Sequence, residues 1–114
     1  MLAEATSKYI RISPQKARLV VNLIRGKGAG EALSILKFTK KRVTREVEKV
    51  LLSAISNAEQ KSENLDVDRL VVAEAYVNEG PRMKRIRPAP LGRAFHYQRR
   101  MSHITVAVEE IEKE

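Results

Sequence analysis

From Gly80 to His103 the chain carries Arg82, Lys84, Arg85, Arg87, Arg93, Arg99 and Arg100 without one acidic residue. Six of these seven cations are arginine, whose planar fork grips phosphate in two places and stacks on bases. Phe95, His96 and Tyr97 lie in the same stretch, and aromatic rings among cations offer unpaired bases a surface to stack on. Packing across a two-stranded ribbon is the other use of that trio, and both readings stand. The chemistry available here is the binding of a polyanion through its phosphates.

Catalysis has far less to draw on. His96 and His103 are the only histidines, and neither has a carboxylate near it in sequence. His103 therefore reads as a structural residue of an alternating strand, because a lone imidazole lacks the base and orienting partner that catalysis requires. Asp66 and Asp68 sit on a polar turn, where two aspartates are ordinarily solvated. Zero cysteines remove a disulfide framework, a thiolate zinc site and a cysteine nucleophile. The run Gly26-Lys27-Gly28-Ala29-Gly30 invites a phosphate-loop reading, but Lys27 is followed by Gly28 rather than Ser or Thr, and no strand precedes it. A turn between helices is the expectation. The chain reads as no enzyme, with no metal, no cofactor and no small-molecule substrate.

The distribution of charge sharpens the point. The 114 residues carry a formal charge of +8, which favours polyanionic partners. Residues 1–45 hold eleven Lys/Arg against Glu4 and Glu31, whereas residues 46–79 hold three basic and eight acidic side chains. Two surfaces facing a polyanion and a middle segment facing away from it are implied. The apolar set never runs beyond the four residues Leu70 to Ala73, so no helix crosses a membrane. The first ten residues contain Glu4 and Lys8 and no apolar block, against a secretory signal peptide. A single domain in the cytosol is expected at this length.

The elements that must position these residues follow from periodicity. Ala3 to Ile12 reads as extended, with Tyr9, Ile10 and Ile12 near its end. Ser13-Pro14 is a helix start, since proline at the first helical position lacks only an amide that would be orphaned anyway. Ala17, Val20, Val21 and Ile24 then recur at helical spacing until Gly26. A second helix is expected over 31–38, and a third over 40–61. In the third, Val43, Val47, Val50, Leu51, Ala54 and Ala58 form one stripe at the centre of the core. From Val67 the period changes to two: Val67, Val71, Ala73, Ala75 and Val77 alternate with Leu70, Val72, Glu74 and Tyr76. Ile104, Val106 and Val108 alternate with His103, Thr105 and Ala107. The expected fold is α+β, a three-stranded antiparallel sheet packed on three helices.

Residues 80–103 connect the last two strands, and a connection of this length is usually functional or disordered. Pro88, Pro90 and Gly92 cluster at its middle, as a turn demands. Its flanks thus extend the strands into a long protruding β-hairpin of basic character. A two-stranded ribbon is at best marginally stable in water, so a partner must supply negative charge and walls.

These residues carry a resemblance. Arg11-Ile12-Ser13-Pro14, Lys16, Arg18-Leu19-Val20 and Leu23-Ile24-Arg25-Gly26-Lys27 are similar to the opening of the bacterial large-subunit ribosomal protein twenty-two family. So are Ser53-Ala54 with Asn57-Ala58, Ala75-Tyr76-Val77 with Glu79-Gly80-Pro81, Lys84-Arg85, Gly92-Arg93-Ala94 and Ser102-His103-Ile104-Thr105, over residues 3–108 in order. The resemblance implies a structural constituent of the large ribosomal subunit in the cytoplasm, near the exit of the peptide tunnel. Its partners would be large-subunit ribosomal RNA, which it helps to assemble, neighbouring large-subunit proteins, and the nascent polypeptide. The cations then meant for rRNA are Arg11, Lys16, Arg18, Arg25 and Lys27, with Arg82, Lys84, Arg85, Arg87, Arg93, Arg99 and Arg100 on the hairpin. The tunnel-lining stretch is Met83, Lys84, Arg85, Ile86, Arg87, Pro88, Ala89, Pro90, Leu91, Gly92 and Arg93. In that family, changes near Met83-Lys84-Arg85 confer macrolide resistance. This tip departs from its relatives, which often place basic residues where Ala89 and Leu91 stand. Gln15 also replaces a common basic residue.

One alternative belongs to another class: a bacterial architectural DNA-binding protein, whose basic arms carry proline into the minor groove. Such proteins need two arms from a dimer, whereas the long helix here has a single apolar stripe, used on its own sheet.

Overall fold

The computed structural model describes residues 2–62, 64–81, 83–88 and 94–110, of which 2, 83–88 and 94–99 are described as backbone only. Strand β1 (Leu2–Ile10) is followed by three helices, α1 (Pro14–Ile24), α2 (Ala29–Phe38) and α3 (Thr44–Lys61). Then come β2 (Leu70–Glu79), β3 (Met83–Pro88), β4 (Ala94–Arg99) and β5 (Ser102–Glu110). The main sheet has the order β1-β5-β2 and is antiparallel throughout. The expected α+β layer of three helices on a three-stranded sheet is what forms.

Helix α1 begins where its sequence says. Ser13 Oγ accepts the Lys16 amide at 3.5 Å, Pro14 takes the first helical position, and Gly26 leaves the helix at φ +80°. Its buried face is Pro14, Ala17, Val20, Val21 and Ile24, laid on β2. The stripe of α3 buries Val47, Val50, Leu51, Ala54 and Ala58 against β1 and β5. Asn57 Nδ2 donates to the Glu4 carbonyl at 2.8 Å and fixes that helix along β1. Helix α2 packs Ala29, Ala32 and Leu36 against α3 and α1, with Leu33 and Ile35 half-buried.

Four boundaries differ from the sequence expectation. The extended segment stops at Ile10 instead of Ile12, because the Ile12 amide turns back to the Ile10 carbonyl at 2.8 Å and the Ile12 carbonyl accepts the buried Ser102 hydroxyl. Helix α2 starts at Ala29, two residues before Glu31. Helix α3 starts at Thr44 rather than Lys40. Lys40, Lys41 and Arg42 would put three cations on the positive end of a helix dipole. Instead these residues form a turn closed by Thr44 Oγ1, which donates to the Lys41 carbonyl at 2.6 Å. Residues 67–69 make one 3₁₀ turn capped by Asp66, whose Oδ1 accepts the Asp68 amide at 3.1 Å, so β2 begins only at Leu70.

The alternation in β2 also breaks. Leu70 and Val72 are buried, then Ala75 and Val77, so the buried side chains change from one of the two alternating rows to the other. The pairing explains it: Val72 stands opposite Val108 and Glu74 opposite Ala107, so Ala73 is the extra residue of a β-bulge. One inserted residue exchanges the faces of everything beyond it. In β1 a second irregularity lies between Ser7 and Ile10, where Tyr9 holds φ +60°. A tyrosine seldom adopts this conformation. His103 steadies it: Nδ1 accepts the Tyr9 amide at 3.0 Å, and the rings meet edge to face at 5.0 Å. His103 is thus structural, as its sequence position implied.

Strands β3 and β4 pair antiparallel from Met83 opposite Arg99 to Pro88 opposite Ala94. They continue β2 and β5 past Glu79 opposite Ser102, with Gly80 donating to the Met101 carbonyl at 2.8 Å. A Cβ on Gly80 would stand 3.2 Å from the His103 ring, from Met101 Cβ and from the Met101 carbonyl oxygen, so a larger residue would push the two chains apart by a few tenths of an ångström. A compact chain of this length has a radius of gyration of about 13 Å. This one reaches 17.5 Å, with extents of 69 × 25 × 17 Å. The excess length fits a ribbon leaving one end of the body.

Candidate nucleic-acid interface

Two groups of cations stand out. The first is assembled around the entry to α1. Arg11 lies on the bend after β1, Lys16 in the first turn of α1, and both are exposed. The fold brings the turn before α3 to meet them. Arg11, Lys16, Lys41 and Arg42 surround a groove of about 500 Å³ floored by Ile12, Leu19 and Val43, and no acidic side chain lines it among the described residues. A second hollow, beside it, is formed by Lys37, Lys40, Lys41, Arg42 and Arg45 with Glu48 at its margin. A third, smaller one joins Ile10, Arg11, Ile12 and Arg42 to Glu46. Arg42 lines all three, so the cations form one continuous track.

Lys37, Lys40, Lys41, Arg42 and Arg45 are the residues that sequence reasoning missed as site residues. The signal was present, since residues 1–45 carry eleven of the basic side chains. What was absent from the sequence is proximity: Lys41 and Arg42 reach Arg11 and Lys16 only through the packing of α2 and α3.

Arg18, Arg25 and Lys27 do not join that groove. Arg18 Nη2 donates to the Val77 carbonyl at 3.1 Å, and Arg25 donates to the Ala75 carbonyl from Nε at 3.1 Å and from Nη2. Both carbonyls lie on the outer side of β2, an edge strand. The next stretch of that edge is covered by the turn after α1, where Gly26 donates to Val72 at 2.9 Å and Val72 to Lys27 at 2.8 Å. An edge strand is a template for unwanted pairing until its polar groups are occupied. Two arginines spaced seven residues apart on α1 do this, and each keeps further N–H donors for an anion. Replacing Arg25 with alanine is expected to lower the stability of the free protein by about 1 kcal/mol, read as a midpoint shift in urea with unchanged slope. An unmoved midpoint would refute the edge role.

The second group is the ribbon. Arg82, Ala89, Pro90, Leu91, Gly92 and Arg93 lie outside the described residues, as do the side chains of 83–88 and 94–99. The backbone register is informative on its own. Lys84 stands opposite Gln98, Arg85 opposite Tyr97, Arg87 opposite Phe95 and Arg99 opposite Met83. No cation faces a cation across the described ladder, and like charges directly opposite would have been destabilising. The trio Phe95, His96 and Tyr97 belongs to a single strand, so its members are not cross-strand partners of one another. Arg100, at the root, is exposed.

Other chemistry finds little support. Among the described residues no three His, Cys, Asp or Glu side chains approach closely enough to hold a metal ion. None of the described helices is long and apolar enough to cross a membrane. Two ion pairs engage acidic side chains, Glu46 with Lys49 at 4.0 Å and Glu110 with Arg69 at 3.8 Å.

Comparison with known proteins gives a consistent result. The family model for ribosomal protein L22p/L17e matches residues 5–109. The large ribosomal subunit protein uL22 of Solibacter usitatus is 63% identical over 112 residues, covering 98% of this chain and 99% of the relative. That of Desulfitobacterium hafniense is 55% identical over 108 residues, 95% of this chain and 94% of its own. That of Koribacter versatilis, a longer protein, is 52% identical over 110 residues, 93% of this chain and 66% of its own.

Proposed function

Since the chain belongs to the ribosomal protein L22p/L17e family and is a structural protein of the large ribosomal subunit, we propose that its two cation-rich groups are the surfaces by which it holds large-subunit rRNA. As a large-subunit protein it works in the cytoplasm, in the ribosome, among neighbouring large-subunit proteins. It is not an enzyme. The DNA-binding alternative finds no support, because the family and its relatives are ribosomal.

The observation that carries this reading is the segregation of charge in space. Arg11, Lys16, Lys41 and Arg42 converge on one groove without an acid, and the ribbon strands hold cations opposite neutral residues. A face kept basic only for solubility would mix signs. Lys and Arg neutralise phosphates and release counterions, while the core fixes where each charge stands. Arg18, Arg25 and Lys27 would add phosphate contacts along the β2 side of α1.

The finer reading concerns residues 80–103 as an extended hairpin of one RNA-binding domain. In it, Met83 to Arg93 lines the tunnel traversed by the nascent polypeptide, with rRNA packed on both flanks. The family resemblance supports this, as does the elongation of the molecule to 69 Å. The test is a zero-length or short crosslinker acting from Lys84 in intact, translating particles. Crosslinks to rRNA and to the nascent chain are expected. Crosslinks confined to this protein's own body would overturn the tunnel reading.

A further inference from the structure

We infer that the groove between the start of α1 and the turn before α3 is a seat for one unpaired nucleotide of large-subunit rRNA, its base on the apolar floor and its phosphates on the rim. The inference rests on the RNA-binding reading and assigns that surface a specific occupant.

The groove joins two features that serve different parts of a nucleotide. Its cations come from two segments, Arg11 and Lys16 from the entry to α1 and Lys41 and Arg42 from the turn before α3. Its floor is aliphatic: Val43 is buried, Ile12 half-buried and Leu19 55% exposed. Leu19 and Leu23 are both exposed apolar residues of α1, and of the two Leu19 lies among the groove's cations. A helical stem presents phosphates and the polar 2′-hydroxyls and base edges of its minor groove, none of which gains from an apolar floor. A base turned out of a stack fills the floor, and the guanidinium planes of Arg11 and Arg42 supply faces for it to lie against. A volume of about 500 Å³ falls within the range of about 300–1,000 Å³ of ordinary small-ligand sites. The cation track continues past Arg42 to Lys37, Lys40 and Arg45, where the neighbouring phosphates of the same strand would run.

The test uses the full chain in assembled large subunits and in binding to purified large-subunit rRNA. With Leu19 replaced by benzoylphenylalanine, irradiation of the particles is expected to crosslink one nucleotide that is unpaired in the rRNA. That nucleotide should lose reactivity to base-modifying reagents when the chain is bound. Leu19→Ala is expected to weaken rRNA binding about fivefold to tenfold with the salt slope unchanged, and Leu19→Met to restore it. Arg42→Ala should instead lower the slope by about 0.7–0.9. Because Leu19 is mostly exposed, its variants should melt as the parent does, which separates a lost contact from a lost fold. Crosslinks to another protein or to paired nucleotides would overturn the seat. So would wild-type affinity in Leu19→Ala while the parent chain binds with its full salt dependence. Failure of the parent chain to bind rRNA at all would instead bring down the RNA reading together with the seat.

Discussion

Affinity of the free chain for large-subunit rRNA is expected to fall at least a thousandfold between about 50 and 200 mM salt. The seven ribbon cations alone, if each meets a phosphate, give a log–log slope of roughly −5 to −6, taking the single-strand and duplex coefficients as brackets. The four cations around the groove steepen it further. A polyanion binder of this kind owes its affinity to counterion release, which concentrated salt cancels. Filter binding or fluorescence anisotropy across a salt series measures the slope directly. A slope near zero would refute phosphate-driven docking, whatever the affinity at one salt concentration.

Truncating Ile104 to alanine is expected to cost about 2–5 kcal/mol, a large share of the stability of the free protein. Ile104 is fully buried in β5, the central strand, where it stands opposite Ser7 on one side and Val77 on the other. The loss is severe because the core is small. The described core comes from α1 to α3 and the three-stranded sheet, while a chain of this size has a total stability of only about 5–15 kcal/mol. Urea denaturation of the free protein reads it. A loss below about 1 kcal/mol would show that the site collapses around the gap, against the tight helix-on-sheet packing described here. Large-subunit rRNA should partly rescue the variant, since a partner that binds only the folded state adds its binding free energy to stability.

Much of the architecture was legible in local pattern. Ser13-Pro14 starts α1 because a cap and a fixed φ act within four residues. The stripe of α3 is buried as its period implied, since a 3.6-residue repeat has only one face to hide. The change to period two marked β2 and β5. The acid-free arginine run pointed to phosphate without any coordinates, because charge is a property of composition.

Features that depend on two distant segments meeting were not legible. The bulge at Ala73 reverses the faces of β2, and no pattern within the strand announces it, because the extra residue is defined by its partner Val108–Ala107. The start of α3 at Thr44 has by contrast a local cause: three cations at a helix N-terminus are unfavourable once a turn can satisfy the same backbone groups. Arg18 and Arg25 look in sequence like any solvated rim. Only the sheet order, with β2 at an edge, turns them into donors to Val77 and Ala75. The groove belongs to the same class. Types and spacing pointed to a polyanion as partner and to a fold of helices on a sheet. Tertiary structure decided which cations act together, because Arg11 and Lys16 acquire Lys41 and Arg42 as neighbours only when α2 and α3 close over the core.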